Sequence, residues 1–234
     1  ALALSLIAHL TLLPPAHAIM AGAAPDTPEL RVDTAGAHST WSGVGCVRVA
    51  GSAYSGVAVG PRHVLTAAHV VGRHLASDLR FVVTVDGPEH TRALAVEHVD
   101  VFPGAAFPYD DLALLRLESP LPEGLATYPL GDVALSVGQL IRLAGFGASG
   151  HGDAGPSVGA SAQVRRLGEN VIDAFPLRIA PAGDDARTSR FFLYDFDGPR
   201  GRGPLGGPTL GNARESTVAG GDSGSGAFAQ LGGQ

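Results

Sequence analysis

The stretch Ala219-Gly220-Gly221-Asp222-Ser223-Gly224-Ser225-Gly226 determines how the rest of the chain is interpreted. A serine between an acid and glycines is suited to act as a nucleophile. It can do so only if a base and a carboxylate from elsewhere in the chain activate and orient it. The sequence upstream of Ser223 is therefore expected to supply a histidine and an acid.

The composition of the 234 residues favours short strands and turns. Glycine and proline contribute 33 and 17 residues and aromatic residues only 6%, which is typical of β-structure rather than long helices. Six short segments rich in valine and leucine are predicted to be strands: Val44–Val49, Ser55–Val59, His63–Ala67, Phe81–Val85, Ala93–Val99 and Leu112–Leu117. This density predicts an all-β fold, with a small β-barrel over residues 44–130.

A second series of strands is expected after the proline-rich break at Ser119–Pro122. Its first members are predicted over Val137–Leu143 and Ala162–Arg166. The domain boundary is placed near Tyr128–Asp132, so that residues 131–234 form a second β-barrel. Within it, Asp184–Pro208 is interpreted as an inserted surface loop.

The N-terminal residues are typical of an export signal. Residues 1–13 are mostly apolar, Pro14-Pro15 interrupts the run, and Ala16-His17-Ala18 has the small-x-small form of a signal-peptidase site. Residues 1–18 are therefore predicted to be a signal peptide without its charged start, which implies a secreted, periplasmic or cell-surface protein. Residues 19–43 have no sustained hydrophobic period and are expected to form an extended segment.

Charge and cysteine content exclude several kinds of partner and chemistry. The formal net charge is −6 and the 16 basic residues, all arginines, form no cluster, so nucleic acid is not expected as a partner. Without lysine, neither a Ser-Lys dyad nor a Schiff base is available. The single cysteine, Cys46, cannot form an intramolecular disulfide and is expected to pack inside a strand.

Two upstream segments can supply the base and the acid. Val64-Leu65-Thr66-Ala67-Ala68-His69 ends a hydrophobic strand in small residues and then His69, which leaves the imidazole accessible, as a general base requires. Asp110 and Asp111 directly precede an apolar strand, where a carboxylate can be partly buried and accept the imidazole N–H. On this argument either aspartate fits.

Three motifs together resemble those of the chymotrypsin/trypsin-like serine protease family: Thr66-Ala67-Ala68-His69, Asp111-Leu112-Ala113-Leu114-Leu115 and Gly221-Asp222-Ser223-Gly224. Ala144-Gly145-Phe146-Gly147 is similar to that family's aromatic residue between glycines. The resemblance covers the chain from about Gly43 onward. It implies two antiparallel six-stranded β-barrels, the second incomplete here, with the catalytic residues in the cleft between them and no cofactor.

The resemblance implies a role for each residue of the triad. His69 would be the general base, Asp111 rather than Asp110 the acid that orients it, and Ser223 the nucleophile. The backbone N–H groups of Gly221 and Ser223 would form the oxyanion hole, which stabilises the charge that develops on the attacked carbonyl oxygen.

The resemblance also addresses specificity. Thr217, six residues before Ser223, would lie at the base of the pocket for the substrate side chain. A buried basic side chain would need a carboxylate partner there, so Thr217 argues against a preference for arginine or lysine. Glu215 is close in sequence and keeps that preference open.

In the same family an acid beside the nucleophile pairs with a new N-terminal ammonium, and the resemblance gives this role to Asp222. Ile19 directly follows the predicted cleavage site, so signal peptidase would expose its ammonium without a separate activation step. Met20 and Ala21 depart from the family's usual start. The alternative is that Ile19 only begins a flexible N-terminal arm.

No metal site is expected from the sequence. The remaining histidines lack metal-ligand spacing. Asp195-Phe196-Asp197-Gly198 resembles the start of a calcium loop but lacks the later glutamate ligand. A turn is the expected identity of this segment, and weak calcium binding is the alternative.

The resemblance implies a secreted serine endopeptidase that forms an acyl-enzyme intermediate. It is expected to act as a monomer on protein or peptide substrates, without stable membrane insertion. The alternative is a protease-fold binding or scaffold protein without turnover. Residues 1–234 by themselves are expected to have little activity, because the resemblance places further pocket walls beyond Gln234.

Overall fold

The computed structural model describes residues 19–86, 90–105, 107–131, 134–175 and 191–230. The predicted signal peptide, residues 1–18, lies outside the described residues. Regular structure in these ranges is mostly β-strand, with a single α-helical turn, α1, at Ala68–Val71. No helix within them is long and apolar enough to cross a membrane.

Six antiparallel strands form a closed barrel in the order β1-β2-β3-β6-β5-β4. They are β1 (Val44–Val49), β2 (Ser52–Gly60), β3 (His63–Thr66), β4 (Leu79–Thr84), β5 (Thr91–Val101) and β6 (Ala113–Leu117). Closure leaves no unpaired strand edge. Each of the six strands predicted in this half is present, and the all-β fold class is confirmed.

The barrel core is apolar. Phe81, Leu115 and Leu117 are fully buried at its centre, and in β1 all residues except Arg48 are buried. Cys46 is also fully buried, as expected, and burial raises the pKa of its thiol to about 12. The thiolate is therefore strongly disfavoured in the folded barrel.

The second half contains a three-stranded antiparallel sheet and a hairpin within the described residues. The strands are β7 (Leu140–Gly145), β8 (Ser149–His151), β9 (Gly155–Val158), β10 (Arg166–Val171) and β11 (Gly226–Phe228). The sheet order is β10-β7-β11, and β8 pairs with β9. The domain boundary near Tyr128–Asp132 stays a prediction; those residues lie between β6 and β7.

Two strand predictions in this half are wrong in position. The strand predicted over Val137–Leu143 begins only at Leu140, because Gly138, with φ +81°, belongs to a turn. The strand predicted over Ala162–Arg166 begins at Arg166 and continues to Val171. Gly168, Glu169 and Asn170 have low β-propensity, and this concealed the strand.

The N-terminal segment is tied to the second half by a buried ion pair. Arg165 Nε lies 2.8 Å from Asp33 Oδ2, and both side chains are at most 5% exposed. The same guanidinium donates hydrogen bonds to the carbonyl oxygens of Gly36 and Val44. A buried charge is tolerated only when it is paired and hydrogen-bonded in this way.

We expect Asp33→Asn to lower the free energy of unfolding by about 3 to 5 kcal/mol, because it leaves the Arg165 charge buried without a partner. Urea denaturation measures the loss. Asp100→Asn is the matched control: Asp100 forms an exposed pair with His98, and its loss is expected to cost less than about 1 kcal/mol. Equal effects of the two substitutions would contradict a structural role for the buried pair.

Candidate active site

The structure brings the predicted base and acid together. β3 ends at Thr66, and the turn α1 that follows presents His69, whose side chain is 37% exposed. His69 Nδ1 lies 2.5 Å from Asp111 Oδ2, and the His69 backbone N–H donates to Asp111 Oδ1 at 2.8 Å. The Nδ1 bond orients the imidazole, and the backbone bond holds Asp111 in place. Nε2 is then the ring nitrogen that faces away from the acid.

The structure places Asp111, and not its neighbour Asp110, against His69. Asp110 lies in a turn with φ +49°, and its carbonyl accepts the N–H of Leu112 at 2.7 Å. The carbonyl of Asp111 accepts the N–H of Ala68 at 3.2 Å, which adds a backbone contact to the side-chain pair. The choice between the two aspartates therefore follows from chain geometry.

The turn that carries Ser223 depends on two glycines. Gly221 has φ +94°, and a Cβ there would lie 2.7 Å from Gly147 Cα. Gly224 has φ +81°, and a Cβ there would lie 2.1 Å from Thr66 Oγ1. Glycine alone fits such positions. The turn consequently packs directly on the end of β3, close in the chain to His69.

Ser55, a fully buried residue of β2, anchors this turn to the first barrel. Its N–H donates to the carbonyl oxygen of Ser223 at 2.9 Å, and its Oγ–H donates to that of Gly221 at 3.0 Å. The Oγ also accepts the N–H of Phe146, and the Ser55 carbonyl accepts the hydroxyl of Thr66. Sequence reasoning missed this role; a polar side chain in the apolar run of β2 was its only signal.

Backbone N–H groups at the turn are available for a ligand. The N–H of Asp222 donates to the Ala219 carbonyl and that of Ser225 to the Asp222 carbonyl. Within the described part of the chain, the N–H groups of Gly221 and Ser223 have no protein acceptor. Two such donors on one turn are suited to bind a carbonyl oxygen that becomes negative.

Ser223 and His69 are not hydrogen-bonded to each other in the part of the chain that the structure describes. Such contacts are often long in unliganded enzymes and shorten when substrate binds. The ring of His69 also contacts Phe107, edge to face, with centroids 5.3 Å apart. Phe107 is 74% exposed, and sequence reasoning did not identify it as a neighbour of the site.

Asp222 is buried beneath the turn, with 3% exposure. Its carboxylate accepts the N–H of Gly147 at 3.3 Å and that of Ala219 at 3.1 Å. Burial raises the pKa of Asp222 to about 7, against the opposing effects of these hydrogen bonds and of Arg166. A positive group beside this carboxylate would therefore stabilise its charged form.

Ile19 is fully buried in the second half, where it packs with Ile141 and Leu143. Its carbonyl accepts the hydroxyl of Ser149 at 2.7 Å. Ser149 is two residues after Gly147, which contacts Asp222. The residue that follows the predicted cleavage site thus lies next to the segment that holds the buried acid.

Thr217 pairs with the same N-terminal segment. Its carbonyl accepts the N–H of Met20 at 2.8 Å, in an antiparallel bridge. A groove of about 500 Å³ lies beside the site and is lined by Asp111, Gly224 and apolar side chains such as Phe192. Thr217 does not line this groove, and its place at the base of a specificity pocket stays a prediction.

The chain matches the model of a known protein family. The family model described as the trypsin-like peptidase domain matches residues 54–233. This span includes His69, Asp111 and Ser223. No curated protein matches the chain significantly.

We expect Ser55→Ala to loosen the turn at residues 219–226, because the Phe146 N–H and the Gly221 carbonyl each lose a buried partner. The free energy of unfolding should fall by about 1 to 3 kcal/mol, and amides of residues 219–226 should exchange faster by hydrogen–deuterium exchange. Ser52→Ala, at the exposed start of the same strand, is the control and should change neither. Destabilisation without faster exchange in this turn would contradict the anchoring role.

Proposed function

Since the chain belongs to the family of trypsin-like peptidase domains, we propose that it hydrolyses peptide bonds as a serine-type endopeptidase. The observation that carries this proposal is the pair of hydrogen bonds from His69 to Asp111. It is supported by the glycine-dependent turn of Ser223, which packs on the end of the strand leading to His69.

In the proposed reaction Ser223 Oγ attacks the scissile carbonyl carbon while His69 Nε2 accepts its proton. Asp111 holds the Nδ1–H and stabilises the imidazolium that forms. The N–H groups of Gly221 and Ser223 bind the oxyanion; one such donor typically contributes about 3 to 4 kcal/mol to transition-state stabilisation. His69 then protonates the leaving amine, and water hydrolyses the acyl-enzyme with His69 again as the base.

We also propose that the protein is exported and that cleavage after Ala18 prepares the site. The new ammonium of Ile19 would pair with Asp222 and fix the turn that carries the oxyanion donors. This is supported by the burial of Ile19 and by the raised pKa of Asp222. An added positive charge stabilises the charged form of a carboxyl group most when that group is buried.

We expect a fluorophosphonate probe to label the full-length wild-type protein covalently, and the full-length Ser223→Ala variant not at all, by intact-mass measurement. Ser225→Ala should still be labelled, because the family pattern assigns attack to Ser223. Ser157→Ala, an exposed position on β9, is the matched surface control. Asp111→Asn should slow labelling by about 10⁴-fold, since the imidazole loses its orienting acceptor. A folded wild-type protein without labelling would favour the alternative, a binding or scaffold protein.

We expect the effect of Asp222→Asn to depend on the N-terminus. With Ile19 still peptide-bonded, the raised pKa means that the folded state binds a proton more tightly between pH 4 and 7, so the carboxyl's contribution to stability falls as pH rises. The melting temperature of the variant minus that of the parent should therefore increase from pH 4 to pH 8.

In a chain released at Ile19 the ammonium should neutralise the carboxylate. The increase should then be absent, and Asp222→Asn should instead reduce turnover. Thermal denaturation at the two pH values, on both forms of the chain, measures this. The same pH-dependent increase in both forms, or an exported protein that starts elsewhere by N-terminal sequencing, would refute the pairing.

A further inference from the structure

Three acidic side chains from two distant segments converge in the second half. Asp195 and Asp197 precede the 3-10 turn at Gly198–Arg200, and Glu215 lies 18 residues after Asp197. One carboxylate oxygen from each lies within 4.8 Å of the others. That distance is about the diameter of a calcium coordination shell, in which oxygens lie 2.3–2.6 Å from the ion.

Two of the three carboxylates are buried, and that of Asp195 is partly buried. Glu215 is 1% exposed and Asp197 5% exposed. Burial is the largest cause of the raised pKa of Glu215, and the charge of Asp197 contributes to it. Among the described residues no arginine or histidine forms an ion pair with any of the three. Burial of like charges without a counter-ion is costly.

Two oxygens of the group lack donors, whereas both oxygens of Glu215 accept hydrogen bonds, from the Asp197 N–H and the Thr209 hydroxyl. Asp197 uses Oδ1 to accept the Gly203 N–H, and its Oδ2 has no hydrogen-bond partner within the described ranges. Asp195 Oδ2 accepts the Leu205 N–H, whereas its Oδ1 is fully buried and unpartnered. Gly203 packs against the carboxylate of Asp195 so closely that a Cβ would lie 2.5 Å from it. Acceptor oxygens held in place without donors are available to coordinate a cation.

A fourth acid, Asp173, contacts the backbone of this group. Asp173 Oδ2 accepts the backbone N–H of Asp195 at 2.9 Å. Its Oδ1 is buried and unpartnered beside Gly207. The charges of Asp195 and Asp197 help to raise the pKa of Asp173, after burial. The concentration of negative charge therefore extends beyond the three converging side chains.

We propose that Asp195, Asp197 and Glu215 bind a calcium ion. Calcium is favoured because it takes six to eight oxygen ligands in irregular geometry, whereas magnesium requires a near-ideal octahedron. Asp195-Phe196-Asp197-Gly198 resembles the start of a calcium loop without its later glutamate, and the fold brings Glu215 to these aspartates. Backbone carbonyls and water would complete the coordination.

The site links the loop around Asp195–Asp197 to the segment that leads to the nucleophile. Glu215 is two residues before Thr217, whose carbonyl holds Met20. The ion would therefore fix the segment between Glu215 and the turn of Ser223. Binding to the folded state alone raises stability by mass action.

The test is calcium-dependent stability of the whole chain, with Ser223→Ala to prevent self-cleavage. Calcium at 100 times its dissociation constant should raise the melting temperature by about 5 to 10 °C relative to EDTA. Terbium, which replaces calcium, should give luminescence on excitation of Tyr194, the residue beside Asp195. Asp197→Asn should abolish both responses, whereas Glu123→Gln, an exposed acid elsewhere, should leave both intact.

In EDTA, Asp197→Asn should melt no lower than the parent, because it removes one repelling charge; this shows that the variant folds. No calcium response in the parent, or an equal response in Asp197→Asn, would overturn the proposal. An equal rise with magnesium at the same concentration would overturn the assignment to calcium. Because these readouts do not use turnover, they are independent of whether the chain is a peptidase.

Discussion

The hydrogen bonds of Ser55 determine how the two halves of the protein meet. Its backbone and hydroxyl hold the carbonyls of Ser223 and Gly221, and its hydroxyl also holds the start of the segment after β7 through Phe146. Thr66, at the end of β3, is bound to the same residue. The turn of Ser223 and the strand that leads to His69 are therefore both hydrogen-bonded to one buried residue, Ser55. Their separation is set by the barrel and not by flexible side chains.

The two halves are stabilised in different ways. The closed barrel has an apolar core, and among the described residues of its strands every charged side chain is exposed. The second half instead buries five charged groups, which are Arg165, Arg166, Asp197, Glu215 and Asp222. Each of these must be matched by a counter-charge, a hydrogen bond or a ligand. The stability of the second half is therefore expected to depend more strongly on pH than that of the barrel.

The sequence predicted the features that depend on local pattern. β1 was predicted with its observed bounds, because it is rich in valine and is flanked by Gly43 and by the turn at Ala50-Gly51. The family motifs predicted that His69 pairs with Asp111 rather than with Asp110. The anchor at Ser55 could not be predicted, since its partner Gly221 is 166 residues away. The same is true of Glu215, whose approach to Asp197 depends on how a long loop folds back.

The burial of Cys46 provides a reporter of the contact between the barrel and the second half. Its thiol is fully buried on β1, between β2 and β4, and its pKa of about 12 keeps it protonated at neutral pH. Cys46 packs with Ala144 and Phe146 of the second half, so a thiol reagent can reach it when the second half moves away from β1. The rate of alkylation in native buffer therefore measures the opening of the contact between the two halves. It does so without interference from a second thiol, because the chain has only one cysteine.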